Sequence, residues 1–173
     1  MHSTTTIAET SLELRLQNEE ATCALAKDFA RALKAHVVAI KETGFNLRLT
    51  GDLGAGKTTF TRALLRNLGI TGRVKSPTFE LVSEYTVLGD VAFYHFDFYR
   101  FASPEEFEEA GFRDLFGASR ICVSEWSEKA KPFLPQADVE ITFKIDGLSR
   151  DVRIESFSCL GESFQTTLLG EEA

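Results

Sequence analysis

Residues 51 to 58 read Gly-Asp-Leu-Gly-Ala-Gly-Lys-Thr, a string that satisfies G-x-x-x-x-G-K-[ST] at every constrained position. Residues of these types at this spacing handle phosphate. Gly51, Gly54 and Gly56 let the backbone curl so that successive N–H groups turn inward onto phosphate oxygens. The N-terminus of the helix that should follow adds its partial positive charge. Asp52, Leu53, Gly54, Ala55, Gly56, Lys57, Thr58 and Thr59 then form the cradle, with Lys57 reaching the β and γ phosphates and the Thr58 hydroxyl ligating magnesium. The bland alternative is a glycine-rich turn carrying a surface lysine. The string lies between a predicted strand and a predicted helix, which is the context that separates a phosphate loop from such a turn. The expectation is therefore a nucleoside triphosphate with Mg2+.

Magnesium in such a loop needs a carboxylate from the end of a nearby strand, and two stand ready. Glu125 closes the apolar run Ile121-Cys122-Val123, and Asp97 ends Val91-Ala92-Phe93-Tyr94-His95-Phe96. Spacing does not rank them, and acidic residues at strand ends are commonly plain surface charges. Thr78, in Ser76-Pro77-Thr78-Phe79, is placed where a switch loop meets the γ phosphate, although proline and serine also make ordinary turns. His95 reads as a strand residue with no His, Cys and Asp set at metal spacing around it. Trp126 belongs either to the core or to the flank of the nucleotide. The acidic run Glu105 to Glu109 reads as a solvated helix face.

The elements that must carry these residues alternate between the two periodicities. Asn18 is an N-cap with Glu19 and Glu20 in the first turn, and Leu25, Phe29 and Leu33 give one apolar stripe of a helix ending near His36. Phe45 to Thr50 is a short strand whose Arg48 interrupts the apolar run expected of a buried parallel strand and hints at an open neighbourhood. A helix from Lys57 carries Phe60, Leu64 and Leu68 and stops at Gly69. A hairpin spans Phe79 to Tyr85, a turn at Gly89-Asp90 and Val91 to Phe96. Ser103-Pro104-Glu105-Glu106 starts a helix that runs to about Gly111, and Arg120 to Ser124 is a strand. Alternation at Val139, Ile141, Phe143 and Ile145, then Val152 and Ile154, predicts a second hairpin across Gly147-Leu148-Ser149. The fold class is α/β with a sheet that is partly antiparallel.

At 173 residues the chain suits one domain, expected to span 1–173 with residues 1–10 as a flexible leader. No stretch approaches the roughly 20 apolar residues of a membrane helix. The polar start Met1 to Thr6 is not a secretory signal, so a cytoplasmic address without membrane contact is expected. Cys23, Cys122 and Cys159 are far apart and read as buried or half-buried thiols in a reducing compartment. A net charge of −7 opposes direct strong binding to nucleic acid, whose phosphates are held by Lys and Arg. No Asn-Lys-x-Asp segment of the guanine-selecting kind occurs, which turns the triphosphate towards ATP. No arginine cluster suggests the lid of a small P-loop kinase. A non-hydrolysing subunit that uses ATP to prop up an interface would share the same loop.

In order and spacing, Gly51-Asp-Leu-Gly-Ala-Gly-Lys-Thr-Thr-Phe60, Val74-Lys-Ser-Pro-Thr-Phe79, His95-Phe-Asp-Phe-Tyr-Arg100 and Ile121-Cys-Val-Ser-Glu-Trp126 resemble the bacterial TsaE (YjeE) family. These are small ATPases required for making threonylcarbamoyladenosine in tRNA. The resemblance covers about residues 15 to 155 and implies a three-layer P-loop NTPase sandwich with a mixed sheet. It assigns Thr58 and Glu125 to magnesium, Asp97 to hydrolysis and Thr78 to a switch facing the γ phosphate, and it brings the Glu19 to Thr22 region towards the adenine. It also implies partners, a TsaD-like threonylcarbamoyl transferase subunit and its TsaB-like companion, on whose assembly or turnover the ATPase would work.

Overall fold

The computed structural model describes residues 11–74, 77 and 80–170. Among these, seven strands form one mixed sheet in the order β1-β7-β6-β2-β5-β4-β3. The strands are β1 (Ser11–Leu16), β2 (Phe45–Thr50), β3 (Val82–Val87), β4 (Val91–Asp97), β5 (Arg120–Glu125), β6 (Val139–Asp146) and β7 (Ser149–Ser156). β4, β5, β2 and β6 run parallel to one another, and antiparallel strands extend the sheet on both sides. The helices are α1 (Glu19–Ala35), α2 (Val37–Thr43), α3 (Lys57–Asn67), α4 (Glu105–Glu109) and α5 (Cys159–Leu168).

Period-two alternation separates the two faces of the sheet. Phe45, Leu47 and Leu49 of β2, Val91 and Phe93 of β4, and Ile121 and Val123 of β5 face the layer of α1, α3 and α5. There Phe29 sets an edge against Phe60 and against Phe164, both at 5.1 Å between ring centres. Such edge-to-face pairs stabilise beyond the area they bury. Tyr94, Phe96 and Cys122 point to the opposite side, under α4 and the turn after it, with Phe98, Phe101, Phe107 and Phe112. Three layers result, the third covering only part of the sheet.

The expected cap of α1 forms, whereas that of α4 forms only in part, with Pro104 at its N-cap and no side chain capping its first turn. Asn18 accepts the Ala21 N–H at 2.9 Å, and Glu106 reaches back to the N–H groups of Ala102 and Ser103. Several features depart from the sequence reading. β3 runs Val82–Val87, after Leu81 at a φ of 63°, and Phe79, where the expected strand starts, lies outside the described residues. β1, α2 and α5 are additional to the expected elements. Arg48 is not beside an opening: its guanidinium donates to the Pro135 carbonyl at 2.8 Å, and burial lowers its pKa. Cys159 is exposed at the start of α5, whereas Cys23 is half-buried and Cys122 buried. The expected leader, residues 1–10, lies outside the described residues.

Topology gathers the chemistry at one end of the sheet. Four parallel strands put the carboxyl ends of β2, β4 and β5 side by side, which is where ligands bind in open α/β sheets. β7 returns antiparallel to β6, so its first residues land at that same end, and β1 pairs with β7 so that Leu16 lies opposite Arg150. The chain then enters α1 at Asn18 and Glu19 beside the same edge.

Candidate functional site

The phosphate loop links Thr50, the last residue of β2, to Lys57, the first of α3. Its glycines act for different reasons. A Cβ on Gly51 would stand 2.7 Å from the Phe143 carbonyl oxygen of β6 and 3.1 Å from the Ala55 Cβ, so this position needs the absence of a side chain. Gly56 has open space around it but a φ of 107°, which a side chain would strain. Gly51→Ala is expected to lower the unfolding free energy by about 1–3 kcal/mol, the usual cost of forcing a methyl into a packed contact, and to weaken nucleotide binding with it. Denaturant titration alongside a nucleotide titration checks this. A variant as stable as the native chain would show that the loop slides freely off β6.

Lys57 is only 5% exposed. Its ammonium donates to the Gly51 carbonyl and lies 4.0 Å from the centre of the Trp126 ring, a cation–π distance. Burial lowers its pKa, while the charges of Glu125 and Asp97 act to raise it. Trp126 stacks obliquely on Tyr99 at 4.9 Å and adopts a left-handed φ of 57° immediately after Glu125. A bulky residue held there is backbone strain of the sort that collects at functional sites. Trp126 thus lines the cleft beside the loop while its partly buried ring also packs against the second core cluster.

Asp97 and Glu125 are register partners on β4 and β5, and both are buried. Asp97 Oδ1 accepts the Tyr99 N–H at 3.0 Å. Burial raises its pKa most, and the neighbouring Glu125 charge adds to the rise. Glu125 Oε2 accepts a hydrogen bond from His95 Nε2 at 2.5 Å. A cleft of about 340 Å³ joins Lys57, Thr58, Asp97 and Glu125 with Leu53, Tyr99, Arg100 and Trp126 around it. The hydroxyl and carboxylate oxygens suit a hard divalent ion such as magnesium, which takes one or two protein oxygens and completes its shell with phosphate and water. Among the described residues no group of three or more His, Cys, Asp or Glu forms a protein-only cage.

A second cleft, of about 370 Å³, opens on the other side of the loop. Glu19 and Thr22 of α1 line it with Asn18, Thr59, Leu148, Arg150 and Gly54 to Gly56. The sequence-predicted residues Glu19, Thr22, Gly54, Ala55, Gly56, Lys57, Thr58, Thr59, Asp97 and Glu125 therefore gather around one loop, with Leu53 at its rim. Asp52 is exposed on the loop and is among the carboxylates whose charge acts on Lys57. Thr78 lies outside the described residues.

Sequence reasoning missed one residue of the site and the contact made by another. Arg150, at the start of β7, donates to the carbonyls of Ala55 at 3.0 Å and Gly54 at 3.1 Å, tying the hairpin of β6 and β7 to the outside of the loop. Nothing local marked it, because the contact crosses 95 positions. His95 was visible as a strand residue, and alternation does put it on the same face as Asp97, but its contact with Glu125 depends on strand pairing.

A phosphate loop between the central strand and a helix, with carboxylates at the ends of the two strands beyond it, defines the P-loop NTPase fold. Residues 16–152 match the family described as "Threonylcarbamoyl adenosine biosynthesis protein TsaE". The chain belongs to the TsaE family. It is 42% identical over 154 residues to the tRNA threonylcarbamoyladenosine biosynthesis protein TsaE of Haemophilus influenzae, covering 88% of this chain and 94% of that protein. The protein of the same name from Bacillus subtilis is 38% identical over 154 residues, covering 89% of each. A crystal structure of Bacillus subtilis YdiB superposes with a TM-score of 0.69 at 31% identity, over 94% of this chain and 96% of that one.

Proposed function

We propose that the protein binds ATP with Mg2+ and hydrolyses it, as an accessory of tRNA threonylcarbamoyladenosine formation that acts on the threonylcarbamoyl transferase complex in the cytoplasm. The observation that carries this reading is the meeting of Lys57, Thr58, Asp97 and Glu125 in one cleft beside the loop. Loop N–H groups and Lys57 hold the phosphates. Thr58 and Glu125 hold magnesium, which when bound neutralises charge on the β and γ phosphates. Asp97 orients a water and takes its proton as the water oxygen bonds to the γ phosphorus and the bond to the β–γ bridging oxygen breaks. Burial makes that carboxylate a better proton acceptor than an ordinary aspartate. Glu19 and Thr22 border the second cleft, on the side of the loop where the nucleoside would extend.

The partners in this reading are a TsaD-like transferase subunit and a TsaB-like companion. The net charge of −7 supports contact with tRNA through those partners rather than directly. No helix among the described residues is long and apolar enough to cross a membrane. Single-turnover hydrolysis, measured with the protein alone and with the two partner proteins, is expected to release phosphate in the presence of Mg2+, faster with partners. No release in either condition would leave a nucleotide-binding subunit that does not turn over.

A further inference from the structure

We infer that His95 is the positioning residue of the Glu125 carboxylate, holding it in the orientation in which it meets magnesium. The inference rests on the reading of the cleft as an ATP–magnesium site. His95 is fully buried and Glu125 nearly so. In the register of β4 and β5, His95 lies opposite Val123, two residues before Asp97 meets Glu125. Its ring therefore approaches Glu125 diagonally, from the sheet side of the cleft, at the range where long or aromatic side chains on neighbouring strands touch. With Oε2 held at 2.5 Å, the carboxylate no longer rotates freely about its last bond, and its placement relative to Thr58 is set before any ion arrives. Carboxylates that ligate metals are characteristically fixed in this way by outer hydrogen bonds.

A purely structural histidine explains the arrangement less well. When Nε2 donates to Glu125, the other ring nitrogen must accept or stay unpaired, and Nδ1 is buried without a hydrogen-bond partner among the described residues. An unpaired buried polar atom costs stability. The neighbouring positions of β4 are filled by Phe93, Tyr94 and Phe96, so an aromatic ring for packing alone is available without a polar atom. The ring bonds Glu125 Oε2 and is not among the residues that line either cleft. Its effect on the site runs through Glu125.

The test measures the dissociation constant of a fluorescent, non-hydrolysable ATP analogue, with and without magnesium chloride, for the native chain and for H95F, H95N and H95Q. Denaturant unfolding of each is followed in parallel. H95F fills the space without a donor, H95Q carries an N–H to about the Nε2 position, and the amide of H95N falls short of it. In H95F and H95N the tightening produced by magnesium is expected to shrink by about 10–100-fold, with magnesium-free binding unchanged. H95Q is expected to recover most of the tightening. Should H95F not fold, H95Q against H95N decides the matter. An unchanged magnesium effect in H95F and H95N, or equal losses with and without magnesium that follow the loss of stability, would overturn the inference and leave the ATP–magnesium reading standing. Absence of any magnesium effect in the native chain would overturn that reading and the inference with it.

Discussion

Replacing Lys57 with alanine is expected to weaken ATP binding by about a hundredfold or more, since hydrogen bonds to charged groups are worth about 1.5–3 kcal/mol each and every 1.4 kcal/mol is tenfold in affinity. The lysine is prepared for that role. It is held inside the cleft at 5% exposure, with its ammonium on the Gly51 carbonyl and against Trp126, so little side-chain freedom remains to be lost when phosphate arrives. One further effect pushes the same way. Without the ammonium, the charges of Glu125 and Asp97, both of which act on Lys57 electrostatically, face the triphosphate with that offset removed. The alanine variant also relieves the burial that lowers the lysine pKa, so fold stability should change far less than affinity. Calorimetric titration of a non-hydrolysable ATP analogue into native and K57A protein, with thermal unfolding as the control for folding, measures both. A dissociation constant as tight as the native one would remove Lys57 from the phosphate site.

The part of the site that lies in one stretch of chain was legible in the sequence, and the part assembled by pairing was legible only as candidates. Residues 51–59 and the caps at Asn18 and Glu106 are local features, in which a few neighbouring residues decide the conformation. Asp97 and Glu125 could be named but not ranked, because each ends a strand and only the parallel pairing of β4 with β5 puts them opposite each other. The two elements missing at the termini had signals in plain view. Leu12, Leu14 and Leu16 alternate with polar residues, yet a single such run makes a strand only if another strand receives it, and the acceptor β7 lies more than a hundred residues away. Leu160, Phe164 and Leu168 recur every four residues, and Ser158 caps that helix through the Gly161 N–H. Both elements reach beyond residues 16–152, where the family match ends. They nonetheless support the site: β1 delivers the chain to Glu19, and Phe164 of α5 packs on Phe29 behind α1.

The sharpest division expected within the site is between its two carboxylates. Asp97→Asn keeps an oxygen to accept the Tyr99 N–H, so the turn after β4 should persist, but the amide cannot take a proton from water. Nucleotide affinity should be retained while turnover falls by about 10²–10⁴, the range that a positioned general base contributes. Glu125→Ala should instead erase most of the tightening that magnesium brings. That variant also leaves the His95 ring without its one hydrogen-bond partner among the described residues, so some loss of stability should accompany the loss of metal dependence. Measuring magnesium-dependent affinity and single-turnover hydrolysis on both variants separates the roles, since each should fail mainly in the assay the other passes or fails less. Equal magnesium dependence in the two variants would sink the assignment of Glu125 to the metal. Normal hydrolysis by the Asp97→Asn protein would make Asp97 a structural residue whose raised pKa reflects burial alone, and the water would then have to be oriented by another group in the cleft.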